Sequence, residues 1–341
     1  MIQIYRDFDD LAEWHYDNLT KHFRIDALLD AEITNNGSDI DNFLIFLKSN
    51  LKDILKGNPL VLEKKIMKKT NEILGDNYFT EKSPNLKVRG PKPRLNIQFI
   101  NKLNSIFNYD EFCDSFCNYN AYLLAEKLEI NVCPYCNRNY ISTLKPVKNK
   151  RKTLESGTRP TLDHYYLKSD FPYLALSFWN LIPSCYSCNS QLRGTKSFSA
   201  FNNIHPYLNS FENYLYFQTD IKDITEFIGN SNQIFSIDLN KSLKSTNNSF
   251  KLFKANNNNT VFKIKEIYNN NHKTEVREII QKALIYNKSY SKSLFESYND
   301  VFTDENDAKK MMLGNYVLAK DFEKRPLSKL TRDIADELGL I

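Results

Sequence analysis

Two short cysteine pairs constrain the fold of this chain more than any other feature of its sequence. They are CPYC, at Cys133 and Cys136, and CYSC, at Cys185 and Cys188. A Cys-x-x-Cys turn presents two thiolates to one ion, and two such turns complete a tetrahedral Zn²⁺ site. Because protein would fill all four positions, the zinc would be structural. The sequence therefore predicts a structural Zn²⁺ site, with unrelated core cysteines as the alternative.

The two remaining cysteines, Cys113 and Cys117, are four positions apart in a segment that we predict to be helical. Residues at that spacing share one face of a helix. We predict that both belong to the apolar face, with metal binding or redox activity as the alternative.

The positive charge of the chain is concentrated around the cysteine pairs. The formal net charge is +5, and residues 121–210 contain eleven basic and five acidic side chains. A positive field on one module is typical of proteins that bind a polyanion. The first ten residues, MIQIYRDFDD, lack the apolar core of a signal peptide, and no run reaches the roughly 18 apolar residues of a membrane helix. We therefore expect a soluble, cytoplasmic protein without a membrane partner.

The spacing of apolar residues divides the chain into three regions. Residues 1–128 are predicted to be helical, because apolar side chains recur every three or four positions. Residues 129–208 contain the two cysteine pairs, prolines and short apolar runs. Residues 209–341 are predicted to be mixed α+β and to end in helices. The overall prediction is an α+β fold that is predominantly helical.

Individual elements follow from the same patterns. The N-terminal helices are predicted at residues 11–29, 42–56, 60–74, 97–107 and 109–128, with a Pro-rich loop at 83–94. In the C-terminal region, YLYFQ (214–218) and TVFKIKEI (260–267) are predicted to be strands, with Asn-rich turns such as KANNNNT (254–260) between them. A long amphipathic helix is predicted at 272–298, and further helices from residue 307.

Zinc does not explain a group of polar residues between and beside the cysteine pairs. The group consists of Asp163, His164, Asn180 and Asn189. Hydrolysis of a phosphodiester needs a group that deprotonates water near neutral pH, and histidine is suited to that task. It also needs a hard divalent ion on the phosphate, and the oxygens of Asp and Asn suit Mg²⁺ or Mn²⁺. The group therefore indicates a candidate hydrolytic site.

The predicted order of elements around this group is strand, strand, helix. PTLDH (160–164) and SFWNLI (177–182) are predicted to pair as antiparallel strands, and YSCNSQLRG (186–194) to begin a helix. The string LDH…KS…LALSFWNLIPSCYSCNSQLRG, preceded by CPYCNR, resembles the HNH endonuclease superfamily and its ββα-metal finger. It is similar in particular to zinc-containing bacterial HNH proteins, including nuclease subunits of Septu-type and retron-linked antiphage systems. The resemblance covers residues 133–207.

The resemblance implies a role for each polar residue. Asp163 and Asn189 would bind the catalytic Mg²⁺ or Mn²⁺, His164 would be the general base, and Asn180 would brace the loop that orients this base. The sequence departs from the family pattern at Leu167, where proline is common, and at Arg193, where lysine is common. Asn189 would bind a metal more weakly than the histidine found in other members.

A metal-dependent endonuclease is therefore the expected function, with DNA as the first substrate and RNA not excluded by the sequence. The resemblance further implies a place in bacterial antiphage defence and an ATPase or sensor protein as partner. One HNH site cuts one strand, so a double-strand break would need a dimer or two successive events. A non-catalytic zinc-containing module that binds nucleic acid is the alternative, because it would use the same cysteines and cations.

Basic residues near the cysteine pairs are the predicted phosphate contacts. They are Arg138, Lys145, Lys148, Lys150, Arg151, Lys152 and Arg193. For the run at 145–152, a solvated loop is the alternative. His205 is predicted to be a further metal ligand or phosphate contact, or to anchor the turn before Pro206. A zinc deaminase is excluded, because that chemistry needs His-x-Glu and Tyr166 stands two residues after His164.

Overall fold

A computed structural model describes residues 1–76, 78–79, 97–114, 116–147, 156–212, 214–228, 233–241, 249–286 and 289–341. Within these ranges the chain is α+β and predominantly helical, with two small antiparallel sheets. The Pro-rich loop predicted at 83–94 lies outside them. None of the helices in these ranges has the length and apolar character needed to cross a bilayer.

The N-terminal region is a series of helices. They are α1 (Phe8–Phe23), α2 (Ile25–Glu32), α3 (Asp39–Ser49), α4 (Leu51–Lys56), α5 (Pro59–Val61), α6 (Lys68–Leu74), α7 (Ile97–Ile106), α8 (Tyr109–Cys113) and α9 (Ala121–Leu128), with a π-helical segment at Leu62–Met67. The side chains of Asp7 and Ser38 cap α1 and α3 by accepting backbone N–H groups. Arg24 has a φ of +50° and ends α1, so the helix predicted at 11–29 is two helices. The helix predicted at 109–128 is likewise interrupted between α8 and α9.

The central region contains the antiparallel strands β1 (Thr161–His164) and β2 (Leu181–Ser184). Asp163 lies opposite Ile182 and His164 opposite Leu181. A π-helical segment follows at Ser187–Arg193, and Gly194, with a φ of +52°, ends it. The order strand, strand, helix is therefore as predicted. The second strand begins later than predicted, because Phe178–Asn180 forms a turn of 3₁₀ helix.

The C-terminal region combines a second antiparallel pair, β3 (Leu215–Thr219) and β4 (Ile237–Lys241), with helices. These are α10 (Ser249–Phe262), α11 (Ile264–Asn271), α12 (Lys273–Ile285), α13 (Tyr290–Ser297), α14 (Glu305–Leu313) and α15 (Ser328–Glu337). The strand predicted at 260–267 is wrong, because that segment is helical in α10 and α11. The Asn-rich turn predicted at 254–260 is also wrong: Asn258 is buried inside α10 and accepts a hydrogen bond from the backbone of Ile204 at 2.9 Å. The helix predicted at 272–298 is two helices, α12 and α13.

One continuous hydrophobic core includes residues from all three regions. Phe8 of α1 stacks on Tyr207 with ring centroids 4.2 Å apart, so the first helix packs directly on the central region. The backbone N–H of Ile2 donates to the carbonyl of Pro134 in the first cysteine pair at 3.0 Å. Residues 129–147 and 156–208 therefore pack against the rest of the protein, which fixes the position of their buried polar side chains.

Candidate functional site

The four cysteines of the two Cys-x-x-Cys pairs meet in one buried cluster. Their sulfur atoms all lie within 4.8 Å of one another, and Cys136 Sγ is 3.9 Å from Cys185 Sγ. A tetrahedral ion with Zn–S bonds of about 2.3 Å separates its ligand atoms by about 3.8 Å. Hydrogen bonds among the four sulfurs lower the pKa of Cys185 and Cys136, whereas burial raises the pKa of Cys133 and bonds to the other sulfurs raise that of Cys188, so the four thiols share their protons. The cluster thus fits a structural zinc ion.

Cys113 and Cys117 do not join this cluster. The helix α8 ends at Cys113, so the two residues do not share a helix face as predicted. Both are partly exposed. Cys113 and Cys117 therefore differ from the four clustered cysteines, which are buried, both in exposure and in position.

Asp163 lies near the end of β1 and is only 1% exposed. Tyr135 Oη donates to its Oδ2 at 2.6 Å, and Arg193 Nη1 donates to its Oδ1 at 2.6 Å. Burial raises the pKa of Asp163, and the positive charge of Arg193 opposes this shift. The carboxylate is therefore held at both oxygens.

His164 is the last residue of β1 and is oriented by the backbone. Its Nε2 lies 3.0 Å from the carbonyl of Ala175. Because a carbonyl only accepts, Nε2 carries the proton and Nδ1 has a free lone pair. The ring of Tyr109 packs against the imidazole with centroids 4.5 Å apart. Burial lowers the pKa of His164 to about 4, so the imidazole is neutral near pH 7.

Asn180 holds the loop that follows His164. Its Oδ1 accepts from the N–H of Tyr166 at 2.5 Å. Its Nδ2 donates to the carbonyls of Tyr166 and Leu174 at 3.1 and 2.9 Å. This side chain is 0% exposed and makes three backbone bonds, as expected for a residue that braces a loop.

Asp163, His164 and Asn189 line one open cleft with a volume of about 450 Å³. Asn189 lies on the π-helical segment and is partly exposed. Within the described part of the chain, its side-chain amide has no hydrogen-bond partner. The other residues around the cleft are Tyr109, Cys113, Arg159, Thr161, Leu162, Leu167, Lys168, Ser169, Arg193 and Gly194.

Asp163 and Asn189 line the same cleft, and carboxylate and amide oxygens are the ligand types that Mg²⁺ and Mn²⁺ take in proteins. Each carboxylate oxygen can accept about two hydrogen bonds or metal bonds, and each oxygen of Asp163 accepts one hydrogen bond. A lone pair therefore remains on each, and Asn189 supplies an amide oxygen. The guanidinium of Arg193 beside Asp163 repels a cation and lowers the affinity of such a site.

Arg193 is not the exposed phosphate contact that the sequence predicts. It is 2% exposed, pairs with Asp163 and donates to the carbonyl of Tyr165 at 2.8 Å. The reason lies in the tertiary structure. The end of the π-helical segment faces the buried carboxylate of Asp163, so the guanidinium of Arg193 neutralises that charge.

His205 is likewise not a metal ligand. Its Nε2 donates to the carbonyl of Trp179 at 2.8 Å, and its Nδ1 accepts from the N–H of Tyr207 at 3.3 Å. Both ring nitrogens are used by the backbone, so His205 anchors the turn, which was the other prediction for this residue.

The remaining predicted cations lie away from the cleft or outside the described residues. Arg138 Nε donates to Nε2 of His272 at 2.8 Å, and Lys145 forms an ion pair with Glu126. Lys148, Lys150, Arg151 and Lys152 lie outside the described residues.

Several residues that line the cleft were not predicted as site residues, and three of them, Tyr109, Arg159 and Lys168, contact His164 or carry charge. Tyr109 covers His164 from α8, and its hydroxyl donates to the carbonyl of Leu162 at 3.3 Å. Arg159 and Lys168 flank β1 and supply positive charge to the cleft. Arg159 and Lys168 lie close to Asp163 and His164 in the sequence, and this proximity could have been used to predict them as cleft residues. Nothing in the sequence around Tyr109 predicts its place in the cleft.

No protein-family model matches the chain, and no curated protein or solved structure matches it either. The function of the cleft is therefore inferred from its residues and their geometry.

Proposed function

We propose that this protein is a metal-dependent endonuclease of the HNH type that hydrolyses phosphodiester bonds in DNA. The observation that supports the proposal is the cleft itself. It brings together a histidine whose Nε2 is fixed by a backbone carbonyl, a carboxylate, a side-chain amide and two cations. Each feature has a separate task in phosphodiester hydrolysis.

His164 would accept the proton of the attacking water at Nδ1. Its Nε2–H bond to Ala175 fixes the ring, and the bond orients Nδ1 without competing for it. Burial favours the neutral form of the imidazole, which can accept a proton, and the same burial makes the imidazole a weaker base than a free histidine. Asn180 maintains the loop between His164 and Ala175, and it thereby preserves the orientation of the imidazole ring of His164.

Arg159 and Lys168 would bind the phosphates on either side of the scissile bond. Both are partly exposed and line the same cleft as His164. Asp163 and Asn189 would hold Mg²⁺ or Mn²⁺, which stabilises negative charge on the scissile phosphate and the leaving oxygen. The zinc cluster has no open position and would support the fold around β1 and β2.

A second candidate function is a non-catalytic module that binds nucleic acid. One observation favours it: the charge of Asp163 is already balanced by Arg193, so the carboxylate is satisfied without an added ion. Such a module would bind through Arg159, Lys168 and the cations around the cysteine cluster, and it would not need His164.

The test is nicking of supercoiled plasmid with Mg²⁺, with Mn²⁺ and with EDTA. The variants are His164→Ala and Asn189→Ala, with His22→Ala, in the last turn of α1, as the matched histidine control. We expect metal-dependent nicking by the wild type and the control, and a loss of at least about 100-fold in His164→Ala. Nicking that persists in His164→Ala at equal zinc content would contradict the proposed role of the histidine.

Binding of labelled DNA and RNA separates the two candidates. An endonuclease with His164→Ala should still bind the substrate that the wild type cuts. Binding without nicking by the wild type, under every metal condition, would support the non-catalytic module.

A further inference from the structure

The two hydrogen bonds to Asp163 come from the two segments that carry the cysteine pairs. Tyr135 lies between Cys133 and Cys136 of the first pair. Arg193 ends the π-helical segment that contains Cys188 of the second pair. Each half of the zinc cluster therefore contributes one bond to the same buried carboxylate.

Both donors are fixed in place by packing. Tyr135 is 0% exposed, and its ring stacks on Phe262 with centroids 4.4 Å apart and an interplanar angle of 21°. The guanidinium of Arg193 lies 4.7 Å from the ring centre of Phe198 and also donates to a backbone carbonyl. Because packing restrains both donors, a rotation of the carboxylate would break the two hydrogen bonds.

Two donors on opposite oxygens have a specific effect on an aspartate. The terminal torsion of Asp has a broad energy profile, so a single hydrogen bond leaves the carboxylate free to rotate. Bonds at both Oδ1 and Oδ2 fix the carboxylate plane, and thereby the direction of the remaining lone pairs. A fixed direction lowers the cost of binding an ion in the adjoining cleft.

We propose that Tyr135 is a positioning residue, through which the zinc cluster orients Asp163 for the divalent ion of the cleft. The inference rests on the proposed function, because it assigns the ion-binding role to Asp163. Zinc holds the turn from Cys133 to Cys136, the turn holds Tyr135, and the tyrosine hydroxyl holds Oδ2. The structural zinc thus acts on the reaction site through one side chain.

The test compares Tyr135→Phe with Tyr119→Phe. Tyr119 is an equally buried tyrosine whose hydroxyl bonds to Nδ1 of His15 at 2.5 Å, away from Asp163. Mn²⁺ affinity is measured by calorimetry on zinc-loaded protein, with zinc content and the unfolding midpoint recorded for each variant. We expect Tyr135→Phe to bind Mn²⁺ about tenfold more weakly than the wild type, with zinc content unchanged. Tyr119→Phe should bind Mn²⁺ like the wild type.

Three results would overturn the inference: an unchanged Mn²⁺ affinity in Tyr135→Phe, an equal loss in Tyr119→Phe, or no Mn²⁺ binding by the wild type. If Tyr135→Phe loses zinc, Arg193→Lys tests the same relationship from the second segment. It keeps the positive charge that repels a cation but removes the planar guanidinium that bonds to both Asp163 and the carbonyl of Tyr165, so we expect the loss of orientation to weaken Mn²⁺ binding. Unchanged affinity in that variant would equally contradict the proposal.

Plasmid nicking, measured in parallel, separates this inference from the proposed function. A wild type that binds Mn²⁺ but does not cut contradicts the nuclease and leaves the positioning role of Tyr135 intact. A wild type that cuts, with the same Mn²⁺ dependence in Tyr135→Phe, contradicts the positioning role and leaves the nuclease intact.

Discussion

Asn180 and Tyr166 form a closed pair in which the asparagine amide bonds to both backbone groups of the tyrosine. Oδ1 accepts the N–H at 2.5 Å, and Nδ2 donates to the carbonyl at 3.1 Å. The amide reproduces the hydrogen bonding of a peptide group, and it lies where water cannot replace it. The loop after His164 therefore depends on the orientation of one side chain.

Asn180→Asp should destabilise the protein by about 3 kcal/mol, because a carboxylate cannot donate to the two carbonyls that it would face. Urea denaturation at pH 7 measures the change in the free energy of unfolding. The exposed Asn256 on α10 is the control, and Asn256→Asp should change stability by less than about 0.5 kcal/mol. Equal effects of the two substitutions would show that the loop does not depend on Asn180.

The zinc content of the protein should depend on the four buried cysteines and not on Cys113 or Cys117. We expect about one zinc per chain in the wild type, and nearly none in Cys188→Ser, because a structural site needs all four ligands. Cys117→Ser should keep its zinc, since that residue lies outside the cluster. Metal analysis by mass spectrometry, together with thermal unfolding before and after chelation, checks both statements. Retention of zinc by Cys188→Ser would refute the four-cysteine site.

Stability should fall between pH 7 and pH 5 because of His15. Burial lowers the pKa of His15 to about 4, whereas the unfolded chain protonates near its ordinary value of about 6.5. Below the unfolded pKa the unfolded state binds more protons, so stability is lost as the pH falls. This histidine alone should contribute a loss of about 2 kcal/mol by pH 5. Urea titrations of wild type and His15→Gln at both pH values should give a smaller loss in the variant; parallel losses would contradict the assignment.

The buried ion pair of α15 should matter more than a surface pair. Lys329 Nζ lies 2.8 Å from Asp333 Oδ2, and both side chains are almost fully buried. Asp333→Asn should cost about 3 kcal/mol, because it removes the nearer carboxylate from the buried ammonium and leaves only Glu212, 3.9 Å away, as its counter-charge. The exposed pair of Lys48 and Asp30 is the control, and Asp30→Asn should cost at most about 1 kcal/mol. Equal costs, measured by urea denaturation, would show that Lys329 finds another partner.

Short sequence motifs were sufficient to predict the features that depend mainly on residues close together in the sequence. The cysteine pairs bring their own turn geometry, so their spacing was enough to predict the cluster. Asp163, His164 and Asn189 were placed together because their side chains suit one hydrolytic site and because the string that contains them resembles the HNH pattern. The role of the cleft that they form stays a prediction.

Tertiary packing decided the features that sequence reasoning missed. Whether Arg193 is exposed or buried depends on the groups that the end of its helix contacts. Those groups are Asp163 and Phe198, and the sequence around Arg193 does not indicate either contact. TVFKIKEI has the short apolar run of a strand, and such a run does not distinguish a strand from a buried helix. Asn258 suits a turn by composition, but the backbone of Ile204 provides the partner that makes it a core residue.

Asn137, directly after the first cysteine pair, holds a segment that is translated much later. Its amide donates to the carbonyl of Phe322 and accepts from the N–H of Lys329, contacts that span 185 and 192 residues of sequence. On the ribosome, the first cysteine pair therefore emerges long before its backbone partners exist. Once both cysteine pairs have emerged, a zinc ion on the four thiols would cross-link the chain between residues 133 and 188 before the last helix is made.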